Sequence, residues 1–298
     1  MKRAIVLSGG GSKGAYEAGF LLAAKELNQH FDIVTGTSIG ALNGALVAMG
    51  DYEGLEYTWN ILDMDHVFNN APDLTDLKDD FMTTSLFNKE EGSNLSELKE
   101  SIAQQTSLAQ SFLRYYFKNK GADNTPFVEH CRGLMDEERL LSSPIDFGIC
   151  TVQFPSMKAC YKTKSEMERG HMLDYLLASS ACFPVFPMTE INGYKYIDGG
   201  FSDNLPIDLA LDMGADEIVV VDMHLIPVHP QYINRPSILY SCPPVDLGGF
   251  MDFNKDALER NRRLGYLMAY KLFGNYEGNQ YTFCLLYTSD AADDRISV

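Results

Sequence analysis

A chain of 298 residues with 45% hydrophobic content is long enough to bury a substantial core, in one domain or in a domain carrying an insert. Its formal net charge of −17 argues against nucleic acid as a partner and against electrostatic adsorption to anionic lipid. Six cysteines lie scattered without metal or disulfide spacing, which fits a reducing cytoplasm and points to no cofactor. Only Lys2 and Arg3 precede a short apolar run, and no stretch approaches a membrane-spanning length, so a cytoplasmic chain is expected.

The run Arg3 to Leu7 (R-A-I-V-L) predicts a buried parallel strand, followed by the glycine loop Gly9-Gly10-Gly11-Ser12-Lys13-Gly14. From Ala15 onward, Ala18, Gly19, Leu22, Ala23 and Leu27 recur at three and four residues, predicting a helix. Phe31 to Thr35 reads as a second strand, Gly36-Thr37-Ser38-Ile39-Gly40 as a turn, and Ile39 to Met49 as a second helix. Between Asp63 and Lys120, Leu95, Leu98, Ile102, Leu108, Phe112 and Tyr116 fall at helical spacings. They predict an amphipathic helical insert over about residues 63–125, its apolar face either packed on the core or forming a lid that admits lipid. Gly193 to Ile197 reads as a strand ending on Asp198-Gly199-Gly200, Pro206 to Met213 as a helix, and Glu217 to Asp222 as another buried strand. His224 to Phe250, rich in Pro and Tyr, reads as a long surface loop, and Asp252 to Phe273 as a long helix. Cys284 to Asp293 resembles the in-frame translation of a sequencing-library adapter, so residues 284–298 are read as non-native and residues 1–283 as the domain.

The two early turns carry the chemistry. In G-x-S-x-G a serine sits on a sharp strand-to-helix turn that exposes its hydroxyl, here Ser38 between Gly36 and Gly40. The first loop offers unhindered backbone N–H groups at a helix N-terminus, suited to a developing oxyanion. Gly9, Gly11 and Gly14 also satisfy G-x-G-x-x-G, a dinucleotide pattern, but Asp32 opens its strand instead of closing it. A P-loop fails because Gly14 follows Lys13. Ser38 could also serve as a helix cap.

A nucleophilic serine needs a base. The histidines are His30, His66, His130, His171, His224 and His229, and the order Ser38, Asp198, His224 formally fits an α/β-hydrolase triad. That fold places several strands before its nucleophile, whereas two precede Ser38. Asp198 at a strand end is the stronger candidate, with a plain acidic turn residue as its structural alternative.

Gly9 to Gly14, Gly36 to Gly40 and Asp198-Gly199-Gly200, with Asn204 and Pro206 downstream and the proline-containing block Ala178 to Pro187, resemble the signature blocks of the patatin-like phospholipase family, most closely its small bacterial members. The resemblance implies an α/β fold of three α/β/α layers, with a mainly parallel central sheet and a helical insert. It implies a Ser–Asp dyad that cleaves acyl esters of lipids, with Ser38 as nucleophile and Asp198 as base. The oxyanion hole would come from the amides of Gly9, Gly10, Gly11 and Ile39, with Ser12, Lys13, Gly14, Gly36, Gly40, Gly199, Gly200 and Asn204 in support. The implied partner is a lipid ester, met at a membrane or micelle through transient apolar contact. Lys13 opposes the helix dipole, which either a nearby functional anion or simple solvation would explain. Two function classes stand: a serine acyl hydrolase, and a binding or regulatory protein of the same fold with weak esterase activity.

Overall fold

The computed structural model describes residues 1–69, 122–183 and 185–274. Nearly all of the predicted insert and the whole of the 284–298 tail lie outside the described residues. The strands are β1 (Arg3–Leu7), β2 (Ile33–Thr37), β3 (Asp146–Phe154), β4 (Lys158–Thr163), β5 (Thr189–Ile191), β6 (Tyr194–Asp198), β7 (Glu217–Val221) and β8 (Ile238–Ser241). The helices are α1 (Gly14–Glu26), α2 (Ile39–Ala48), α3 (Tyr52–Ile61), α4 (Met64–Val67), α5 (Thr125–Leu134), α6 (Glu137–Ser142), α7 (Met172–Ser179), α8 (Ile207–Asp212) and α9 (Lys255–Phe273).

Strands β3, β2, β1, β7 and β8 form a parallel set in that spatial order, while β4, β5 and β6 pair antiparallel. The β1 sequence shows why the sheet is covered on both faces. Ile5 and Leu7 enter one apolar cluster with α1, α2 and α3, whereas Ala4 and Val6 enter another with Leu205, Ile207 and Ala210 around α8. Alternate residues of one strand thus point into two cores, which makes a continuous apolar run and a three-layer α/β/α arrangement. α9 packs along α1 and starts at Asn254, whose side chain accepts from the amides of Asp256 and Ala257.

Two expectations change. His224 to Phe250 is more than a surface loop: it contains β8, paired in parallel with β7, and buries Tyr232 and Leu247. β6, the strand that ends in Asp198, runs antiparallel to β3 instead of joining the parallel set. β3 pairs with β4 along Gly148–Gln153, with β2 along Asp146–Cys150, and with β6 along Thr151–Phe154. Because a strand has two edges and β4 overlaps both other partners, β2 and β6 share the same edge of β3. They abut end to end, Thr37 beside Cys150 and Asp198 beside Thr151.

Candidate active site

Ser38 follows the last residue of β2 at φ 55° and ψ −126° and leads directly into α2. A non-glycine residue in that region stores on the order of 1–3 kcal/mol of strain, so the surroundings must hold it. They do so at its main chain: the Ser38 N–H donates to Ser179 Oγ at 2.9 Å, and Ser179 Oγ donates to the Cys150 carbonyl at 2.6 Å. Gly36 and Gly40 let strand and helix meet, since a Cβ on Gly36 would stand 2.5 Å from the Gly40 carbonyl. The side chain of Ser38 makes no capping bond to α2, so the helix-cap reading of this serine fails.

The Ser38 hydroxyl donates instead to Asp198 Oδ2 at 2.7 Å, and Asp198 Oδ1 accepts from the Gly200 N–H at 2.8 Å. Gly199 opens the short 3-10 turn that brings the Gly200 amide round to the carboxylate. Asp198 is 6% exposed. Burial pushes its pKa up to about 7, against the opposing effect of the hydrogen bonds from Ser38 and Gly200. The carboxyl therefore changes charge near neutrality, where a general base is most useful.

The glycine loop stands opposite. Gly10, Gly11, Ser38, Ile39, Asp198 and Gly200 line one cavity. The amides of Gly10, Gly11 and Ile39 donate to no group among the described residues. Gly9 departs from expectation, because its N–H is taken by the Asn204 carbonyl at 3.0 Å while Asn204 Nδ2 donates to the Gly9 carbonyl at 3.1 Å. Gly9 and Asn204 thus form a reciprocal clamp that fixes the loop, and the Gly9 amide is not free for an oxyanion. Ser12 is held by the Phe250 and Gly249 carbonyls, at 2.8 Å to its N–H and 2.9 Å to its hydroxyl. Gly11, at φ 57°, passes so close that a Cβ would meet the Phe250 carbonyl at 2.2 Å. The Gly14 carbonyl accepts from Asn43 Nδ2, which also donates to the buried Glu17.

Lys13 has a third explanation. It is partly buried, which lowers its pKa, and the carboxylates of Asp246 and Asp222 oppose that effect, so the protein supplies its own anions. It does not line the cavity. His224 Nδ1 pairs with Asp222 Oδ1 at 2.7 Å, and no histidine lines the cavity among the described residues. Asp198 touches Ser38 without an intervening imidazole, so the triad arrangement is not formed. Asp32 accepts from the Arg3 N–H at the opposite end of the sheet, which removes the dinucleotide reading.

The walls of the cavity are mainly apolar and include Leu42, Leu62, Val67, Phe127, Phe186 and Phe253. Val67 and Phe127 flank residues 70–121 in the chain. Sequence patterns did not mark Ser179, the Gly249–Phe250 support or this wall. Ser179 lies inside the proline-containing block, but its role depends on a contact across 141 residues.

Residues 5–211 match the family described as patatin-like phospholipase. The chain is 22% identical to lysophospholipase NTE1 of Meyerozyma guilliermondii, over 92% of this chain and 19% of that protein. It is 26% identical to human patatin-like phospholipase domain-containing protein 6, over 74% of this chain and 13% of that protein. The chain therefore spans about a fifth or less of these relatives. VipD from Legionella pneumophila shares the fold, with a TM-score of 0.55 at 15% identity over 92% of this chain and 67% of that one. With its matching region covering more than half of its length, this chain belongs to the patatin-like phospholipase family.

Proposed function

We propose that this chain is a serine acyl hydrolase of lipid esters, in which Ser38 is the nucleophile and Asp198 its base. The observation that carries the reading is the 2.7 Å hydrogen bond from Ser38 Oγ to Asp198 Oδ2 at the wall of an apolar cavity. Membership of the family and relatives named as lysophospholipases support the same reaction class.

The hydroxyl proton passes to Asp198 as Ser38 Oγ attacks the ester carbonyl. The negative oxygen is met by the unengaged amides of Gly10, Gly11 and Ile39, which replaces water by fixed dipoles where charge develops. Asp198 then returns the proton to the leaving alcohol, and water, deprotonated by the same carboxylate, releases the fatty acid from Ser38. A carboxylate is a weak base beside an alcohol, but burial raises its pKa and the amides lower the energy of the adduct, so the two effects share the barrier.

Contact with a membrane or micelle is assigned to apolar surface. Leu225 is 53% exposed and Ile226 80% exposed, and they follow Met223, whose methyl group packs at Gly10. No described helix is long and apolar enough to cross a membrane. The five described cysteines are free thiols, which supports a reducing compartment.

The test is turnover of p-nitrophenyl esters and of extracted lipids. Ser38→Ala and Asp198→Asn are each expected to abolish it, and His224→Ala to retain it. A silent His224→Ala enzyme, or an active Ser38→Ala one, would overturn the assignment.

A further inference from the structure

A second cavity lies behind the first. It sits between α2, α3, α5 and α7, and Ile39, Leu42, Leu62 and Phe127 line both cavities. Its far end is bounded by Leu46 and Met49 of the α2 segment, Leu134 and Met135 of the α5 segment, and Leu173 of α7.

Two polar side chains on its wall already have partners. Asn43 bonds to Gly14, Glu17 and Trp59. The Thr58 hydroxyl donates to the Gly54 carbonyl and lies 3.0 Å from His130 Nε2. Asn43 and Thr58 are thus already engaged, and apart from His130 and Cys131 the rest of the lining is apolar, so the space suits hydrocarbon and not a headgroup. Its direction agrees with that chemistry. It begins at Ile39, the residue after the nucleophile, and follows α2 to Met49, a path of about 15 Å at the helical rise.

We infer that the second cavity receives the distal part of the acyl chain whose carbonyl lies at Ser38, and that Met49, Leu134 and Leu173 set the chain length the enzyme prefers. This rests on the reading of Ser38 and Asp198 as the reacting pair. An acyl chain that enters leaves water for an apolar enclosure, which favours binding by roughly fourfold per methylene. A short acyl group ends in the first cavity and is indifferent to the second.

The experiment compares kcat/KM for p-nitrophenyl butyrate, octanoate and palmitate in mixed micelles, using the full chain. Leu134→Trp and Leu173→Trp, on separate helices, should each lower the palmitate-to-butyrate ratio by roughly tenfold or more, as a few methylenes lose their enclosure. Met49→Ala should shift the optimum towards longer chains. Two tryptophan variants guard against one that fails to fold, and thermal melts identify it. If wild type cleaves every ester but the ratio stays constant in a folded tryptophan variant, the acyl assignment falls and the hydrolase reading survives. If wild type and Ser38→Ala release nitrophenol equally slowly, both fall.

Discussion

Replacing Asp198 by Asn should make the protein more stable at alkaline pH while abolishing turnover. Asn preserves the shape: Oδ1 can still accept from the Gly200 N–H, and Nδ2 can donate to Ser38 Oγ, where the carboxylate accepted before. What changes is charge. The folded pKa of Asp198 is raised from 3.8 to about 7 by burial. A raised value means that the native state keeps a proton the unfolded chain has lost. The stability tied to that proton is complete below 3.8, declines as pH rises, and is gone above about 7. At about 1.4 kcal/mol per pH unit, wild type should lose about 3 kcal/mol relative to Asp198→Asn between pH 5 and pH 8.5. Glu17, also buried with a raised pKa, acts equally in both proteins and cancels from the difference. Urea unfolding of both proteins at the two pH values measures it. A wild-type-to-variant difference that does not move with pH would refute the claim that burial holds this carboxyl near neutrality.

The remaining predictions concern the same small region. The kcat/KM profile for a soluble ester should fall with unit slope below about pH 7, because protonated Asp198 cannot accept the Ser38 proton; a profile that rises toward acid would remove its role as base. Ser179→Ala deletes the oxygen that holds the Ser38 amide and should lower kcat by roughly tenfold to a hundredfold with little change in KM; steady-state kinetics at saturating ester would show it. Asn204→Asp sets a carboxylate oxygen against the Gly9 carbonyl in place of the Asn204 Nδ2 donor. It should destabilise by about 1–3 kcal/mol, more than Asn204→Ala does, and equal melting temperatures for the two variants would contradict the clamp.

Much of the site is local in sequence and was legible there. The glycine loop, the Ser38 turn, β1, α1 and α2 follow within fifty residues of one another, each announced by a turn or a period. Asp198 was legible because two glycines follow it. The rest depends on pairing between distant segments. Asp146–Phe154 is buried on both faces for most of its length, so it lacks the alternation that marks a strand, and nothing local states that β6 pairs with it antiparallel. The oxyanion role read onto Gly9 fails for the same reason, since the group that occupies its amide comes from a residue 195 positions away. Lys13 likewise answers to Asp222 and Asp246, which periodicity cannot connect to it. The cavity walls come from helices whose apolar residues look like ordinary core.

The end-to-end meeting of β2 and β6 on one edge of β3 makes a single peptide unit into a ruler. Cys150 fixes where one strand stops and Thr151 where the other does, so the gap between hydroxyl and carboxylate is set by main-chain spacing instead of by side-chain reach. One residue inserted between Cys150 and Thr151 would open that gap by about 3.3 Å without removing either side chain. The distance on which the proposed chemistry depends is therefore written into two residues that take no part in it.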